Sequence, residues 1–266
     1  MIDLPAAPPP AGEGGLLPFK YPNLSFCSQN LRSLNISTKN NITKEKIYAI
    51  TKEKTDVILI CDLKLNSDVQ KAAVHDVEKY FMLNGYKLYH NSTKSTRGVG
   101  ILISRKLAHT IVNVHKDPDC NILFAEIEIL GQRLYIGSVY GPNHNDQIFF
   151  NNLENFLRTA NNLPTVLGGD FNTTWDDRHI SVNLDTHAMQ NIPSIFRTNK
   201  LREFCTNFDL IDPYRALYPN KRDYTFVPSA VDNLNRSRID MFLINVRVGA
   251  QTYGRDWVYD IMTMRA

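Results

Sequence analysis

The residues of this chain whose types suit phosphate chemistry stand at the ends of apolar segments. Asp170 and Asn172 end the segment VLGGDFN (166–172), in which an apolar, strand-like run is followed by a carboxylate and an amide two positions apart. Comparable segments end in or contain four further polar residues: Asn30, Asp62, Tyr140 and Asp240. Three carboxylates, two amides and a phenol, with no adjacent Ser/His or Cys/His pair, suit a hard cation and phosphate oxygens. Each residue alone is more often a turn or helix cap, so the prediction depends on the whole set.

Alternating strand and helix patterns place these residues in a layered fold. Helices are predicted over 43–54, 69–83, 146–160 and 198–210, where apolar residues recur at helical spacing. Strands are predicted for LSFCSQN, VILIC, GVGILIS, KLAHTIVNV, NILFAEIEIL, RLYIGSVY, VLGGD, DYTFV and SRIDMFLIN. The four from GVGILIS to RLYIGSVY are joined by short polar turns and predict a meander. The predicted fold class is α/β, with two mixed sheets packed as a sandwich, helices on the outside and the polar residues along one rim.

Composition limits the class of protein. The 266 residues, 43% of them hydrophobic, suffice for one large domain, and a net charge of +3 does not by itself indicate a nucleic-acid binder. The 4 cysteines are widely spaced, which predicts neither a zinc site nor a disulfide framework and favours an intracellular setting. Residues 1–22 are rich in Pro and Gly and are predicted to form a disordered leader. No apolar run approaches the roughly 18 residues that a membrane span needs.

Several motifs, taken in chain order, resemble those of the endonuclease/exonuclease/phosphatase superfamily. They are SQNLRSL, VILICDLKL, RGVGILIS, IGSVYGPN, LGGDFNTTWDD, DLIDPYRALYPNKRDYTFVPSA and SRIDMFLIN. The likeness is greatest to the apurinic-like endonuclease domain of non-LTR (LINE-type) retrotransposons, and it extends from about Ser25 to Asn245. It implies a DNase I-like, four-layered β-sandwich flanked by helices over residues 23–245, followed by a divergent tail over 246–266.

The resemblance also implies roles for the polar residues. It implies that Asn30 and Asp62 hold Mg²⁺, with Mn²⁺ as an alternative, so that the ion neutralises a phosphate oxygen and the leaving 3′ oxygen. It implies that Asp170 orients or deprotonates the attacking water, that Asn172 holds a phosphate oxygen and that Tyr140 polarises the scissile phosphate. The period of two along a strand places the side chains of 170 and 172 on the same side if the strand continues.

Two departures from the family pattern lower the expected activity. Asp62 stands where the family has a glutamate, and its side chain is one methylene shorter. Asp240 matches the acid that orients the family's final histidine, but no Ser-Asp-His motif follows it and His187 is the last histidine of the chain. Loss of one positioned acid–base or phosphate-binding group lowers a rate by about 10² to 10⁴. We therefore expect an impaired nuclease that lacks the family's last strand, and whether the tail is a frameshift or a natural end stays open.

Three functions are compatible with these features. The first is a Mg²⁺-dependent endonuclease of retrotransposon origin that nicks DNA and leaves a 3′ hydroxyl. The second is a catalytically inactive, truncated remnant with at most weak DNA binding. The third keeps the fold but acts on a phosphoinositide, a sphingolipid or an mRNA tail, and the retroelement-like segment DLIDPYRALYPNKRDYTF argues against it.

Contacts with DNA are predicted from local positive charge and from the resemblance. The residues proposed for this role are Arg97, Asn143, Tyr224, Thr225, Arg236 and Arg238. The loop 228–237 resembles the hairpin that such endonucleases press against a DNA groove. The expected partner is DNA, with no membrane and no small-molecule cofactor. A reverse transcriptase domain is expected in an intact element but is absent from this chain, and nuclear localisation is expected.

Overall fold

The computed structural model describes residues 24–34, 42–129, 131–160, 163–175, 185–187, 194–227 and 236–245. Within these ranges the strands form a sheet of four, a sheet of five and a separate two-stranded pair. The predicted sandwich of two mixed sheets is therefore confirmed. The predicted leader, the tail over 246–266 and the last strand expected to be missing lie outside the described residues.

The first sheet has the strand order β1-β2-β4-β3. Its strands are β1 (Phe26–Asn30), β2 (Val57–Cys61), β3 (Tyr86–Asn91) and β4 (Val99–Ser104). Strand β1 runs parallel to β2, and the other pairs are antiparallel. All five residues of β2 are buried, because this strand lies inside the sheet with a packed layer on each face. The outer face is covered by α1 (Ile42–Thr51) and α2 (Lys71–Leu83), whose apolar residues form one core cluster with β2.

The second sheet has the strand order β11-β8-β7-β6-β5. Its strands are β5 (His109–Lys116), β6 (Ile122–Ile129), β7 (Gln132–Tyr140), β8 (Thr165–Asp170) and β11 (Asp240–Asn245). Two helices cover its outer face, α3 (Gln147–Arg158) and α4 (Ile195–Asn207). The side chain of Asp146 caps α3 by accepting a hydrogen bond from Phe149 N at 3.0 Å, which sets where this helix begins. The remaining elements are β9 (Thr186–His187), α5 (Pro213–Leu217) and β10 (Arg236–Ser237).

Three details differ from the predicted element list. The four-strand meander is wrong, because β4 pairs with β2 and β3 in the first sheet, while β5, β6 and β7 alone form a meander in the second. The segment DYTFV is not a strand, and it pairs only through a single bridge between Phe226 and Ser237. Strand β3 and helix α5 were not predicted, because β3 is a mostly polar edge strand and α5 has only five residues.

The two sheets pack face to face around an apolar core to which both contribute. A polar contact also joins the two sheets, because Ser138 Oγ on β7 donates a hydrogen bond to the carbonyl of Ile60 on β2 at 3.0 Å. Because helices cover both outer faces, the fold has four layers, and each sheet is buried on both sides.

Glycines allow β8 to approach its neighbours closely. A Cβ added at Gly168 would lie 2.7 Å from side-chain atoms of Leu59 and Phe242, so the missing side chain lets the sheets meet. At Gly169 the backbone has φ +147°, and an added Cβ would lie 1.9 Å from the carbonyl oxygen of Val139. The two glycines of LGGD therefore serve packing and backbone geometry immediately before Asp170.

We expect Gly169→Ala to lower the free energy of unfolding by about 3 kcal/mol or more, since it adds a clash with backbone to an unfavourable φ. The matched control is Gly131→Ala, because Gly131 also has a positive φ (+76°) but has no atom within 4 Å of an added Cβ. The control should cost only about 1 kcal/mol of backbone strain. Urea unfolding of both variants measures the difference. Equal losses of unfolding free energy in the two variants would show that contact with the Val139 carbonyl does not restrict the side chain at position 169.

Candidate active site

Strand register brings the predicted residues to one rim of the sandwich. In the first sheet, Asn30 ends β1 and Asp62 directly follows its parallel neighbour β2. In the second sheet, Tyr140 and Asp170 end the parallel strands β7 and β8 and lie opposite each other. Strand β11 runs antiparallel to β8, so its first residue, Asp240, also pairs with Asp170. The five side chains lie at or directly beside the ends of five strands and line one cleft where the two sheets adjoin.

These residues line an open cleft of about 730 Å³. It is lined by Ser28, Gln29, Asn30, Arg32, Asp62, Tyr140, Asp170, Asn172, Tyr224, Thr225, Phe226, Val227, Ile239 and Asp240. All six residues predicted for catalysis or metal binding are in this set, as are two of the predicted DNA contacts. The cleft wall is dominated by polar side chains, with an aromatic and apolar stretch over 224–227 on one side.

The carboxylate of Asp170 links the two sheets. Asn30 Nδ2 donates to its Oδ2 at 3.0 Å from the first sheet, and the backbone N–H of Asn172 donates to its Oδ1 at 2.9 Å. Only 5% of Asp170 is exposed. Both oxygens are thus oriented by donors from different elements, which holds the carboxylate in one position at the base of the cleft.

The cleft raises the pKa of Asp170 and of Asp240. Burial and then the charge of Asp240 raise the pKa of Asp170 to about 7, against the lowering effect of the hydrogen bonds from Asn172 and Asn30. Burial likewise raises the pKa of Asp240, while a hydrogen bond from Thr225 and the charge of Arg32 lower it. The two carboxyl groups repel each other, so a positive charge placed between them would lower the pKa of both.

Tyr140 is a hydrogen-bond donor at neutral pH. Burial, followed by the charges of Asp62 and Asp170, raises the pKa of its phenol to about 12. A neutral hydroxyl can donate a hydrogen bond to a phosphate oxygen.

Asp62 is available as a cation ligand but already has a partner. It is 6% exposed and has a backbone φ of +58°. Its Oδ2 forms an ion pair with Lys64 Nζ at 3.0 Å. In the described part of the chain, no three Asp, Glu, His or Cys side chains are grouped closely enough to hold a metal ion by themselves. The donor set still fits Mg²⁺, which commonly binds through one or two protein oxygens and keeps several waters. Asn30 and Asp62 supply two such oxygens, and the repulsion between the acids of the cleft favours a cation.

Asn172 lines the cleft for a different reason from the one predicted. Strand β8 ends at Asp170, and Asn172 has a left-handed φ of +49°, so the period of two does not continue to it. Its side chain donates from Nδ2 to the carbonyl of Gly141 at 2.8 Å. The turn, rather than a continuing strand, places Asn172 beside Asp170 in the lining of the cleft.

The prediction that Arg238 contacts DNA is corrected by its burial. It is 3% exposed, and its guanidinium donates to Asp185 Oδ1 at 2.7 Å and to Asp212 Oδ2 at 2.5 Å. Arg215 also binds Asp185, so the four side chains form a buried network. This network joins α5 to the segment that leads into β11, and it therefore supports the position of Asp240 rather than binding a ligand.

The remaining predicted DNA contacts are distributed around the cleft. Arg97 has a φ of +63° and donates to Asn121 Oδ1 at 2.5 Å. Thr225 lines the cleft, but its Oγ1 accepts from the backbone N–H groups of Ile239 and Asp240, both at 3.1 Å. Among the others, Tyr224 lines the cleft, while Asn143 and Arg236 are exposed on the surface outside it.

Two arginines at the site were not predicted from the sequence. Arg32 lines the cleft two residues after Asn30, and that spacing was the signal available in the sequence. Arg197 on α4 donates to the carbonyls of Pro142 and Asn172, which ties together the loops after β7 and β8. No local pattern could indicate Arg197, because its partners are distant in the chain.

The chain belongs to the Endonuclease/Exonuclease/phosphatase family, whose model matches residues 27–263. This confirms the resemblance that the motifs indicated. Members of the family generally depend on a divalent metal ion. The described residues contain no helix of the length and apolarity needed to cross a bilayer.

Known relatives agree with this membership. A "Transposon TX1 uncharacterized 149 kDa protein" of Xenopus laevis is 24% identical over 164 residues, which is 60% of this chain but only 12% of the relative. The fold is similar to that of an AP endonuclease from Leishmania major (TM-score 0.65, 17% identity, covering 84% of this chain and 79% of that one). It is also similar to the 3′ phosphatase NExo from Neisseria bound to product DNA hairpin (TM-score 0.61, 20% identity, 84% and 85%). A third similar structure is the endonuclease domain of TRAS1, a telomere-specific non-LTR retrotransposon (TM-score 0.53, 15% identity, 82% and 84%).

We expect Asp170→Asn to stabilise the metal-free protein at alkaline pH. Because the folded-state pKa of Asp170 is about 7 and thus above its unfolded value, the wild type loses stability as pH rises from about 4 through 7. The uncharged variant avoids this loss, so its free energy of unfolding should exceed that of the wild type by roughly 1–3 kcal/mol at pH 8, with the difference vanishing near pH 4. Urea unfolding in EDTA measures it, and Asp76→Asn on the exposed face of α2 is the control. A difference that does not depend on pH would contradict the mechanism.

We expect Arg238→Met to destabilise the fold by about 3–5 kcal/mol, because it removes the buried guanidinium that pairs with Asp212 and leaves Arg215 as the cation beside Asp185. Arg236→Met removes the same charge from an exposed position two residues earlier and should change stability by less than about 0.5 kcal/mol. Thermal or urea unfolding compares the two, and a small effect of Arg238→Met would restore this residue as a candidate DNA contact.

Proposed function

We propose that this chain is a Mg²⁺-dependent endonuclease domain of retrotransposon origin that hydrolyses DNA phosphodiester bonds and leaves a 3′ hydroxyl. The observation that supports it most is the meeting of Asn30, Asp62, Tyr140, Asp170 and Asp240 in one cleft from five strands of two sheets. Family membership and the likeness to a retrotransposon endonuclease domain support the same reaction class. Nuclear localisation is part of the proposal, since the DNA target lies there.

The metal would be held by Asn30 and Asp62. When bound, Mg²⁺ supplies positive charge to a non-bridging phosphate oxygen and to the leaving 3′ oxygen. Lys64 shares the Asp62 carboxylate, so it reduces the net negative charge that this ligand presents. Asp62 has a left-handed backbone conformation and lines the cleft despite its shorter side chain.

Asp170 is the proposed base. Its two oxygens are held by Asn30 and by the backbone N–H of Asn172, so the carboxylate is oriented before a substrate arrives. A pKa near 7 lets it accept a proton from an attacking water near neutral pH. Tyr140 lines the same cleft, where its phenolic hydroxyl can donate a hydrogen bond to a phosphate oxygen.

DNA is the proposed substrate, and the cleft shape supports it. The cleft is open and polar, and Tyr224, Phe226 and Val227 present aromatic and apolar surface beside Asp240. Bases or sugars can pack on such a surface while the acidic rim faces the phosphate. The similar NExo structure contains a DNA hairpin, which supports nucleic acid as the ligand class.

A non-catalytic DNA-binding remnant is the second candidate. Among the residues that line the described cleft, none is a histidine, so the acid–base machinery there consists of carboxylates and one phenol. If this set is insufficient, the chain binds DNA without cutting it.

Plasmid relaxation separates the two candidates. With supercoiled plasmid and Mg²⁺, we expect the wild type to form nicked circles, and Asp170→Ala to lower the rate by about 10² to 10⁴ because the positioned base is lost. Asp76→Ala, on the exposed face of α2, removes a carboxylate far from the cleft and should nick at the wild-type rate. The 3′ hydroxyl is checked by extension of the nick with a DNA polymerase.

The controls decide how each result is interpreted. Equal nicking by wild type and Asp170→Ala would identify a contaminating nuclease and remove the support for catalysis by this chain. DNA binding without nicking would favour the remnant. Hydrolysis of phosphoinositides with intact plasmid would overturn the choice of substrate.

A further inference from the structure

Arg32 occupies an unusual backbone position at the cleft. It follows the end of β1 and has φ +48°, and the next residue, Ser33, has φ +73°. Left-handed conformations are uncommon for residues other than glycine, Asn and Asp, and two in succession cost energy. The side chain of Arg32 is exposed and lines the same cleft as Asp240. Strained residues of this kind persist where the surrounding structure holds them, often at functional sites.

Specific contacts hold this turn in place. The backbone N–H of Arg32 donates to Asn30 Oδ1 at 3.0 Å. Lys46 on α1 donates from Nζ to three successive carbonyls, those of Leu31 at 2.9 Å, Arg32 at 3.3 Å and Ser33 at 2.5 Å. An ammonium group has three N–H donors, so Lys46 can donate one hydrogen bond to each of the three carbonyls. The Lys46 side chain thereby stabilises the turn. The turn therefore sets the direction in which the Arg32 side chain leaves the backbone.

The N–H groups of the Arg32 guanidinium are available to donate hydrogen bonds to a ligand. Within the described ranges it makes no hydrogen bond and no ion pair, whereas Arg238 and Arg197 bind carboxylates or carbonyls of the protein. Among the residues that line the cleft it is the one with a fixed positive charge, facing three carboxylates. A guanidinium presents a planar fork of donors that fits two oxygens of a phosphate.

We propose that Arg32 binds a phosphate of the nucleic-acid backbone in the cleft and thereby positions the strand against Asp170. The proposal rests on DNA as the ligand of the cleft, but it does not require that the chain cuts DNA. The Arg32 side chain also places a positive charge among the acidic residues of the cleft. This charge would attract the negatively charged phosphodiester.

Salt dependence of binding tests the proposal without catalysis. A short fluorescein-labelled DNA duplex is titrated with protein in EDTA at several KCl concentrations, and anisotropy reports the dissociation constant. Each phosphate contact contributes about 0.9 to the slope of log K against log salt. We expect Arg32→Asn to lower the slope by about this amount and to weaken binding about tenfold, the effect of one charge-assisted hydrogen-bonded contact.

The variants are matched for backbone conformation. Asparagine tolerates a left-handed φ, so Arg32→Asn removes the charge with little added strain. Lys54 is also an exposed cation with a left-handed φ (+54°), and it lies near the start of β2, at the opposite end of the sheet from Asn30. Lys54→Asn should leave slope and affinity unchanged. Arg32→Lys keeps the charge and should restore the slope, although it loses the bidentate geometry and part of the affinity.

The outcomes separate this proposal from the proposed nuclease activity. If the wild type nicks plasmid but Arg32→Asn and Lys54→Asn bind with the wild-type slope, the role of Arg32 is overturned and the nuclease stands. If the wild type does not nick but Arg32→Asn alone lowers the slope, the phosphate contact is supported and the nuclease fails. Equal losses in the Arg32→Asn and Lys54→Asn variants would show only a general charge effect and would also overturn the assignment.

Discussion

The Asp170 carboxylate, buried where the two sheets adjoin, is the group on which the arrangement of the cleft depends. Removing a carboxylate from water is unfavourable unless donors surround it, and here the donors come from Asn30 in one sheet and from the turn after β8 in the other. Asp240 adds repulsion from the adjacent strand. The folded protein therefore holds two acids close together at a point where a cation or a proton relieves the repulsion.

Left-handed turns surround this group, and contacts from distant elements hold them. Asp62 and Asn172 leave their strands with positive φ, as does Arg32 after β1. Lys46 on α1 and Arg197 on α4 bind the carbonyls of these turns from the outer layers. The helices thus do more than cover the sheets, because they stabilise backbone conformations that the local sequence does not favour. Contacts of this kind hold the side chains of the cleft in defined positions.

Some basic side chains near the cleft are paired with carboxylates of the protein, whereas Arg32 is available to bind a ligand. Arg238 and Arg215 neutralise the buried carboxylates of Asp185 and Asp212, and Lys64 pairs with Asp62. Arg32 remains directed into the cleft. Local positive charge suggested that Arg236 and Arg238 contact DNA, but the charge of Arg238 is used to attach α5 to the strand that carries Asp240. Local charge in a sequence does not reveal whether its partner is a ligand or another buried side chain.

The sequence by itself determined the family, the layered α/β class and the six polar residues of the rim, because buried strands have long apolar runs and their ends must be polar. It also placed β2 at the bounds observed, since VILIC is buried on both faces. Only the tertiary structure decided that β4 belongs to the first sheet and that a turn places Asn172 beside Asp170. It also decided that Arg238 is buried and that Arg32 lines the cleft. Each of these depends on partners far apart in the chain, such as Asp185 for Arg238 and Lys46 for the turn at Arg32. Periodicity and composition describe a residue's neighbours along the chain, whereas burial and charge pairing depend on its neighbours in space.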